Sequence, residues 1–335
     1  MNVAIIGASG IGKQHAKWFQ AEGCRIAAFS GTTEDSCQRT SKLLTETVGF
    51  RGTAYTDSRQ MIDQESLDVV CVASPQEVHL EQVRYALEAG CHVYCEKPFV
   101  WPKPGTYDAF AQATSAPAGV SDSTLRDLLE SAHVLVDYAA DSQLVLAMNA
   151  QYVAARESYR VLYERERGPI GQIREFHFLL ESKGLSGRYG SHEGIWIDMA
   201  PHALGQIIDW LPDGTLDASS IECTVASHRT VARFRYGGAE IDAEMGKSVD
   251  SGMNRRFGIN GFIVDYFGKA DDHGVYRAFL KHGDDTVDSE DYMQLSVRQF
   301  ISAIQNSATE PFVNGHAAVK NLEASMVILE HGKQV

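Results

Sequence analysis

The chain has 335 residues, with 30 basic and 44 acidic side chains and a formal net charge of −14. That balance, with no Lys/Arg-rich run, excludes a general nucleic-acid binder, which must neutralise phosphates. At about 150 residues per domain the length predicts two domains; 44% hydrophobic and 22% charged residues describe a soluble globular chain, and no apolar run approaches the ~20 residues of a membrane-spanning helix.

In chain order, the first part alternates short β-branched runs with helical patterns. Strands are expected at Asn2–Ile6, Arg25–Phe29, Leu67–Ala73, His92–Cys95 and Gln143–Ala147, and helices at Gly12–Ala21, Glu34–Thr47, Val78–Ala89 and Ser123–Ala140. This is the pattern of an α/β domain, a doubly wound parallel sheet of the Rossmann type, over residues 1–150. Prolines, glycines, serines and threonines crowd residues 101–122, which read as an inserted loop, a lid or an oligomer contact. Past Ala150 a helix (Val153–Arg167) precedes strand-like segments at Gly171–Glu181, Ile221–Ser227, Thr230–Tyr236, Glu240–Lys247 and Phe257–Tyr266. Their alternation predicts an α+β domain with an open, mostly antiparallel sheet over residues 151–335. A helix from Asp198 to about Trp210 would hold Pro201 in its first turn, where the missing N–H costs nothing. Helices at Asp291–Gln305 and Gly315–Glu330 close the chain, and the acidic stretch from Asp271 to Asp291 reads as solvated turns.

Cys24, Cys37, Cys71, Cys91, Cys95 and Cys223 form no CxxC pair, so neither a metal site nor structural disulfides are expected. No basic segment leads into a long apolar one at the N-terminus, and the expected location is the cytoplasm.

The strongest local signal is Gly7-Ala8-Ser9-Gly10-Ile11-Gly12, between the first strand and the first helix. In a dinucleotide fingerprint the glycines permit a tight turn and close approach of a pyrophosphate, which the helix N-terminus stabilises. Gly7, Ser9, Gly10, Ile11 and Gly12 are therefore cofactor-binding candidates, with Ser9 standing where a second glycine is usual. At the end of the second strand no carboxylate awaits the ribose 2′-hydroxyl of NAD; the sequence is Phe29-Ser30-Gly31-Thr32-Thr33. The hydroxyls of Ser30, Thr32 and Thr33, with Arg39 as counter-charge, favour NADP over NAD. The same residues equally read as the cap and turn of the next helix.

Ala73-Ser74-Pro75 and Cys95-Glu96-Lys97-Pro98 end the next two long strands, where open α/β sheets place their ligands. With Asp68-Val69-Val70, His79, Ala86-Leu87, Ala89-Gly90 and His92-Val93 in the same order and spacing, the chain resembles the Gfo/Idh/MocA oxidoreductases, the family of glucose-fructose oxidoreductase and inositol 2-dehydrogenase. The resemblance implies that Ser74, Pro75, His79, Glu96, Lys97 and Pro98 border the cofactor, that Lys97 lies beside nicotinamide and substrate, and that a cis Lys97–Pro98 bond shapes the turn. An ammonium there would stabilise a developing alkoxide.

Asp198-Met199-Ala200-Pro201-His202 looks like the family's Asp-x-Gly-x-His, with Ala200 for glycine. Four residues apart on a helix, Asp198 and His202 share a face. The resemblance makes His202 the proton acceptor, suited by an ordinary pKa of about 6.5, and Asp198 the residue that positions it or the substrate. Asn149, Gln151, Tyr152 and Trp196 are further substrate-binding candidates, as are Arg188, Tyr189, Arg255 and Arg256; Gln151 stands where relatives often carry arginine. The implied reaction is hydride transfer between NAD(P) and a secondary alcohol carbon of a sugar, cyclitol or related polyhydroxylated ring, by a homodimer or homotetramer paired through the second sheet's exposed face. Two alternatives stay open: a catalytically silent sensor or regulator, and a reductase of an imine or double bond.

Overall fold

The computed structural model describes residues 1–103, 105–106, 120–183, 193–248, 253–272 and 275–335. Strand and helix alternate through β1 (Asn2–Ile6), α1 (Gly12–Ala21), β2 (Arg25–Ser30), α2 (Glu34–Val48), β3 (Thr53–Tyr55), α3 (Ser58–Gln64), β4 (Val69–Val72), α4 (His79–Glu88), β5 (His92–Glu96), α5 (Ser123–Asp141) and β6 (Leu146–Asn149). Val3 to Ile6 and Val69 to Val72 are apolar without alternation because a parallel sheet is covered on both faces, and all of them are buried. Local chemistry fixes the helices. In α2 the Thr33 hydroxyl accepts from the Ser36 N–H at 3.2 Å, the Ser36 hydroxyl accepts from the Thr33 N–H at 3.1 Å, and Cys37, Thr40, Leu44 and Val48 form the buried stripe. Among the described residues the strands form one parallel sheet in the order β3-β2-β1-β4-β5-β6, so the winding reverses between β1 and β4.

Next come α6 (Arg156–Arg167), β7 (Glu175–Lys183), α7 (Gly194–Trp210), β8 (Leu216–Val225), β9 (Arg229–Tyr236), β10 (Ala239–Ser248), β11 (Asn254–Ile259), β12 (Phe262–Ala270), β13 (Tyr276–His282), β14 (Asp285–Glu290), α8 (Tyr292–Gln305), α9 (Gly315–Glu330) and β15 (Gly332–Gln334). Their sheet runs β14-β13-β12-β11-β7-β10-β9-β8-β15 and is antiparallel except at β10/β7 and β15/β8. Helices α6 and α7 pack on it. Strand parity sorts the faces: Thr230, Ala232, Phe234 and Tyr236 of β9 and Ala239, Ile241, Ala243 and Met245 of β10 are buried. The opposite face carries cross-strand ion pairs, Arg233 with Asp242 (3.4 Å), Arg229 with Glu244 (2.9 Å) and Arg256 with Asp265 (3.0 Å). Such exposed pairs contribute roughly 0.2–1 kcal/mol each.

The chain forms two compact units, the first of Met1–Pro102, Leu128–Ala150 and Met293–Val319, the second of Lys103–Asp127, Gln151–Tyr292 and Lys320–Val335. Assigning everything beyond residue 150 to one domain is therefore corrected, because α8 belongs to the first unit. Phe300 packs at 5.1 Å from the Tyr94 ring and 6.2 Å from Phe19, and Arg298 and Gln294 bond to Glu22. An amphipathic stripe announces that a helix is buried on one side, not which sheet it returns to.

Three further expectations change. The strand expected over Phe257–Tyr266 is a hairpin, β11 and β12, turning at Asn260-Gly261 with φ of 52° and 73°, the sense that a two-residue hairpin turn requires. The acidic stretch is not turns alone: β13 and β14 pair there, and β14 tolerates its charges because it is the sheet edge. Helix α7 begins at Gly194, so Pro201 lies inside it.

Of residues 101–122, residue 104 and residues 107–119 lie outside the described residues, and so does the lid or contact expected of them. Of the flanks, Trp101 is buried, and the Ser121 and Asp122 N–H groups donate to the Glu330 carboxylate at 2.9 and 3.0 Å. The six cysteines are free and buried, and among the described residues no helix is long and apolar enough to cross a membrane.

Candidate active site

In the first unit the cradle is built by backbone. Gly7 has φ of 84°, and a Cβ on it would lie 2.7 Å from the Ala73 carbonyl oxygen; a Cβ on Gly12 would lie 2.5 Å from that of Gly7. Only glycine lets the turn after β1 pass the end of β4 and lets α1 close onto it. Ser9, Gly10 and Ile11 are exposed along this turn. A pyrophosphate fits a turn of this kind, at a helix N-terminus and at the point where the strand order reverses.

At the end of β2 Ser30 is buried and its carbonyl accepts from the Gly7 N–H at 3.0 Å, while the Thr33 hydroxyl caps α2. Thr32 and Arg39 are exposed, and the first carboxylates are Glu34 and Asp35 in the opening turn of α2. The cap role, left open by the sequence, thus belongs to Thr33.

The turns after β4 and β5 are tied together by His79, which is buried. Its Nε2 lies 2.9 Å from the Ser74 carbonyl, and its Nδ1 lies 3.1 Å from both the Pro98 and Phe99 carbonyls. Burial lowers the His79 pKa, opposed by those carbonyls. His79 is a brace between two turns, and its reading as a cofactor contact is corrected. Ser74 Oγ donates to Gln82 Oε1 at 2.5 Å, and Pro75 follows it at the strand end.

Glu96 is buried with Oε1 2.6 Å from His15 Nε2, accepts from Asn149 Nδ2 at 2.7 Å, and accepts from the Lys97 N–H on Oε2 at 3.2 Å. Burial pushes its pKa up, but the His15 hydrogen bond and charge, the Lys97 charge and the Asn149 bond outweigh this and bring it to about 2. Glu96 therefore stays ionised as an internal tie between α1, β5 and β6. Asn149 is consumed by the same network, its Oδ1 accepting from Tyr94 OH at 3.1 Å, and it leaves the list of substrate contacts. Lys97 is half-buried, and the Lys97–Pro98 bond is cis.

In the second unit, α7 holds Asp198 and His202 one turn apart. Because the helix starts at Gly194, Asp198 is not its cap, and Pro201 removes the N–H that would serve the Ile197 carbonyl. An interior proline costs about 3 kcal/mol, and it stands between the two polar residues. Asp198 Oδ2 lies 2.5 Å from Lys247 Nζ, with the lysine side chain 8% exposed. The His202 ring lies 4.8 Å from that of Tyr152, whose hydroxyl accepts from Arg255 Nε at 2.9 Å.

Asp198, His202 and Tyr152 are thus brought together with Lys247, which the sequence reading missed, and with Arg255. The available signal was parity: Ala239, Ile241, Ala243 and Met245 face inward, and Lys247 is the next inward position. Trp196 is corrected to a core residue, fully buried with its indole N–H donating to the Ser325 carbonyl at 3.2 Å. Arg256 points to the other face and pairs with Asp265. Gln151 is half-buried at the start of the 3-10 turn Gln151–Ala155, and Arg188 and Tyr189 lie outside the described residues.

A parallel sheet of this order, with a glycine cradle at its switch point, defines a dinucleotide-binding domain. Residues 1–116 match the model of the Gfo/Idh/MocA oxidoreductase family, NAD-binding Rossmann fold. It is 30% identical over 107 residues to inositol 2-dehydrogenase/D-chiro-inositol 3-dehydrogenase of Shouchella clausii (strain KSM-K16), covering 31% of this chain and 30% of that protein. It is 37% identical over 100 residues to D-glucoside 3-dehydrogenase of Escherichia coli (strain K12), covering 29% of this chain and 27% of the relative. The match thus spans less than a third of these curated relatives. Among solved structures, UDP-N-acetylglucosamine 3-dehydrogenase of Acidithiobacillus ferrooxidans has the same fold with a TM-score of 0.71 at 18% identity, over 99% of this chain and 97% of that one.

Proposed function

We propose that the protein is an NAD(P)-dependent dehydrogenase acting on a secondary alcohol carbon of a sugar, cyclitol or related polyhydroxylated ring. The observation that carries this reading is the Glu96-Lys97-Pro98 turn: Glu96 ties it to His15 of α1, the helix that the glycine cradle opens. The similarity to inositol and glucoside dehydrogenases, over 107 and 100 residues, supports it.

A nicotinamide dinucleotide held at the turn of Gly7, Gly10 and Gly12 would supply the hydride chemistry. The chain supplies the rest. His202 takes the proton from the reacting hydroxyl; Asp198, held by Lys247, orients the imidazole or a neighbouring hydroxyl. Tyr152 walls the imidazole on one side. The Lys97 ammonium stabilises the developing alkoxide. The location proposed with this reading is the cytoplasm. The outward sheet face, where Phe267 is 38% exposed beside the ion pairs, is the surface we assign to pairing of subunits.

Fluorescence titration with NADH and NADPH, followed by turnover assays on a panel of polyols with the cofactor that binds, tests the reading. Binding with turnover is the expected result. Tight cofactor binding without turnover of any polyol identifies a sensor instead, the outcome that Ser9 and Ala200 in place of glycines would accompany.

A further inference from the structure

Among the described residues, the exposed arginines of the second sheet are ion-paired and the buried one, Arg255, is not. Arg233, Arg229, Arg256 and Arg277 each meet a carboxylate on the exposed face within 3.4 Å. Arg255, 8% exposed, donates from Nε to Tyr152 OH (2.9 Å) and from Nη1 to the Asn254 carbonyl (3.1 Å), both neutral acceptors. Among the described residues no carboxylate lies within ion-pair distance of it. Solvation demands the reverse order, since a charge removed from water needs a counter-charge far more than one left in it.

Position says where that counter-charge belongs. Arg255 stands opposite Leu180 and Lys247 opposite Ser182 on β7, so both cations occupy the sheet's buried face, one on either side of that strand. Asp198 Oδ2 pairs with Lys247 Nζ at 2.5 Å. Arg255, Lys247 and Asp198 therefore sum to +1, beside His202, in a chain of net charge −14. The Nη2 edge of the guanidinium is a planar donor pair, the shape that takes two oxygens of a carboxylate or phosphate.

The geometry points to Arg255 as the recognition element for an anionic substrate: a polyhydroxylated ring or chain bearing a carboxylate or phosphate, held by the guanidinium while its alcohol carbon faces His202. This rests on the dehydrogenase reading and adds the substrate's charge to it.

The test compares kcat/KM of wild type, Arg255→Met and Arg255→Lys on D-glucuronate, D-glucose 6-phosphate and the neutral methyl β-D-glucoside, with melting temperatures measured alongside. Wild type is expected to prefer one of the two anions, and which one separates carboxylate from phosphate. In Arg255→Met the anion-to-neutral ratio falls about 10- to 100-fold, mainly through KM, as loss of a charged hydrogen-bond pair implies; Arg255→Lys falls less. Removing an uncompensated buried charge leaves the melting temperature unchanged or higher. Arg256→Met, on the other face, keeps the ratio. A wild-type preference for the neutral sugar, or a ratio unaltered in Arg255→Met, overturns the inference while leaving the dehydrogenase reading intact. If no sugar is turned over although cofactor binds, the dehydrogenase reading fails by itself. Melting then decides: a rise with either anion in wild type but not in Arg255→Met supports the anion site, and no rise overturns it.

Discussion

Both units bury ionisable groups, but they use them differently. Around Glu96 in the first unit, His15, Asn149 and the Lys97 N–H satisfy the carboxylate, and Tyr94 satisfies Asn149 in turn. Around His202 in the second, one cation is matched by Asp198 and another, Arg255, meets only neutral oxygens among the described residues. A closed network holds a scaffold, and removing a member costs stability. An incompletely matched one is set for a ligand, and removing a member costs activity instead.

The largest effect expected from this contrast is on rate. His202→Ala should lower kcat about 10²- to 10⁴-fold, the span of general acid–base catalysis, while the melting temperature stays near that of wild type. Lys97→Ala should cost about 10²- to 10³-fold in kcat if it serves the oxyanion. A collapse of the melting temperature in His202→Ala would move that residue to the scaffold side of the comparison.

The contrast also explains how far the sequence reached. The strands β1, β2, β4 and β5 were legible because burial on both faces demands unbroken apolar runs, and the glycine cradle because a turn that tight tolerates few residues; β6, expected at Gln143–Ala147, runs from Leu146 to Asn149. Asp198 and His202 were singled out by resemblance to a family motif, and helical spacing put them on one face. Lys247 and Arg255 were harder, since they meet the α7 site through sheet register, which local pattern does not encode; Arg255 surfaced as a candidate and Lys247 did not. His79, Asn149 and Trp196 erred in the opposite direction. Each carries polar atoms near a strand end or beside a motif, and each spends them on internal partners. Composition cannot separate a polar group that faces a ligand from one that faces a carbonyl.

The next effect is on stability. Glu96 has its pKa lowered from 4.5 to about 2 in the folded chain, so its contribution is fully present above pH ~4.5 and is lost as pH falls toward 2. The shift corresponds to about 3 kcal/mol. Unfolding Glu96→Gln in urea from pH 7 to 2.5 should give a protein weaker at neutrality, with a flatter acid dependence than wild type. Equal slopes in the two proteins would remove Glu96 from the scaffold. The smallest effect is expected outside both networks: Arg233→Ala breaks an exposed pair with Asp242 and should change stability by less than about 1 kcal/mol.

The most direct measurement of the central claim follows the hydrogen itself. Incubated with NAD⁺ or NADP⁺ and carbon-deuterated myo-inositol or glucuronate, the wild-type protein should yield reduced cofactor carrying one deuterium by mass spectrometry, and His202→Ala should yield almost none. Reduced cofactor without deuterium, or cofactor bound but never reduced by either compound, would contradict hydride transfer from a polyol carbon.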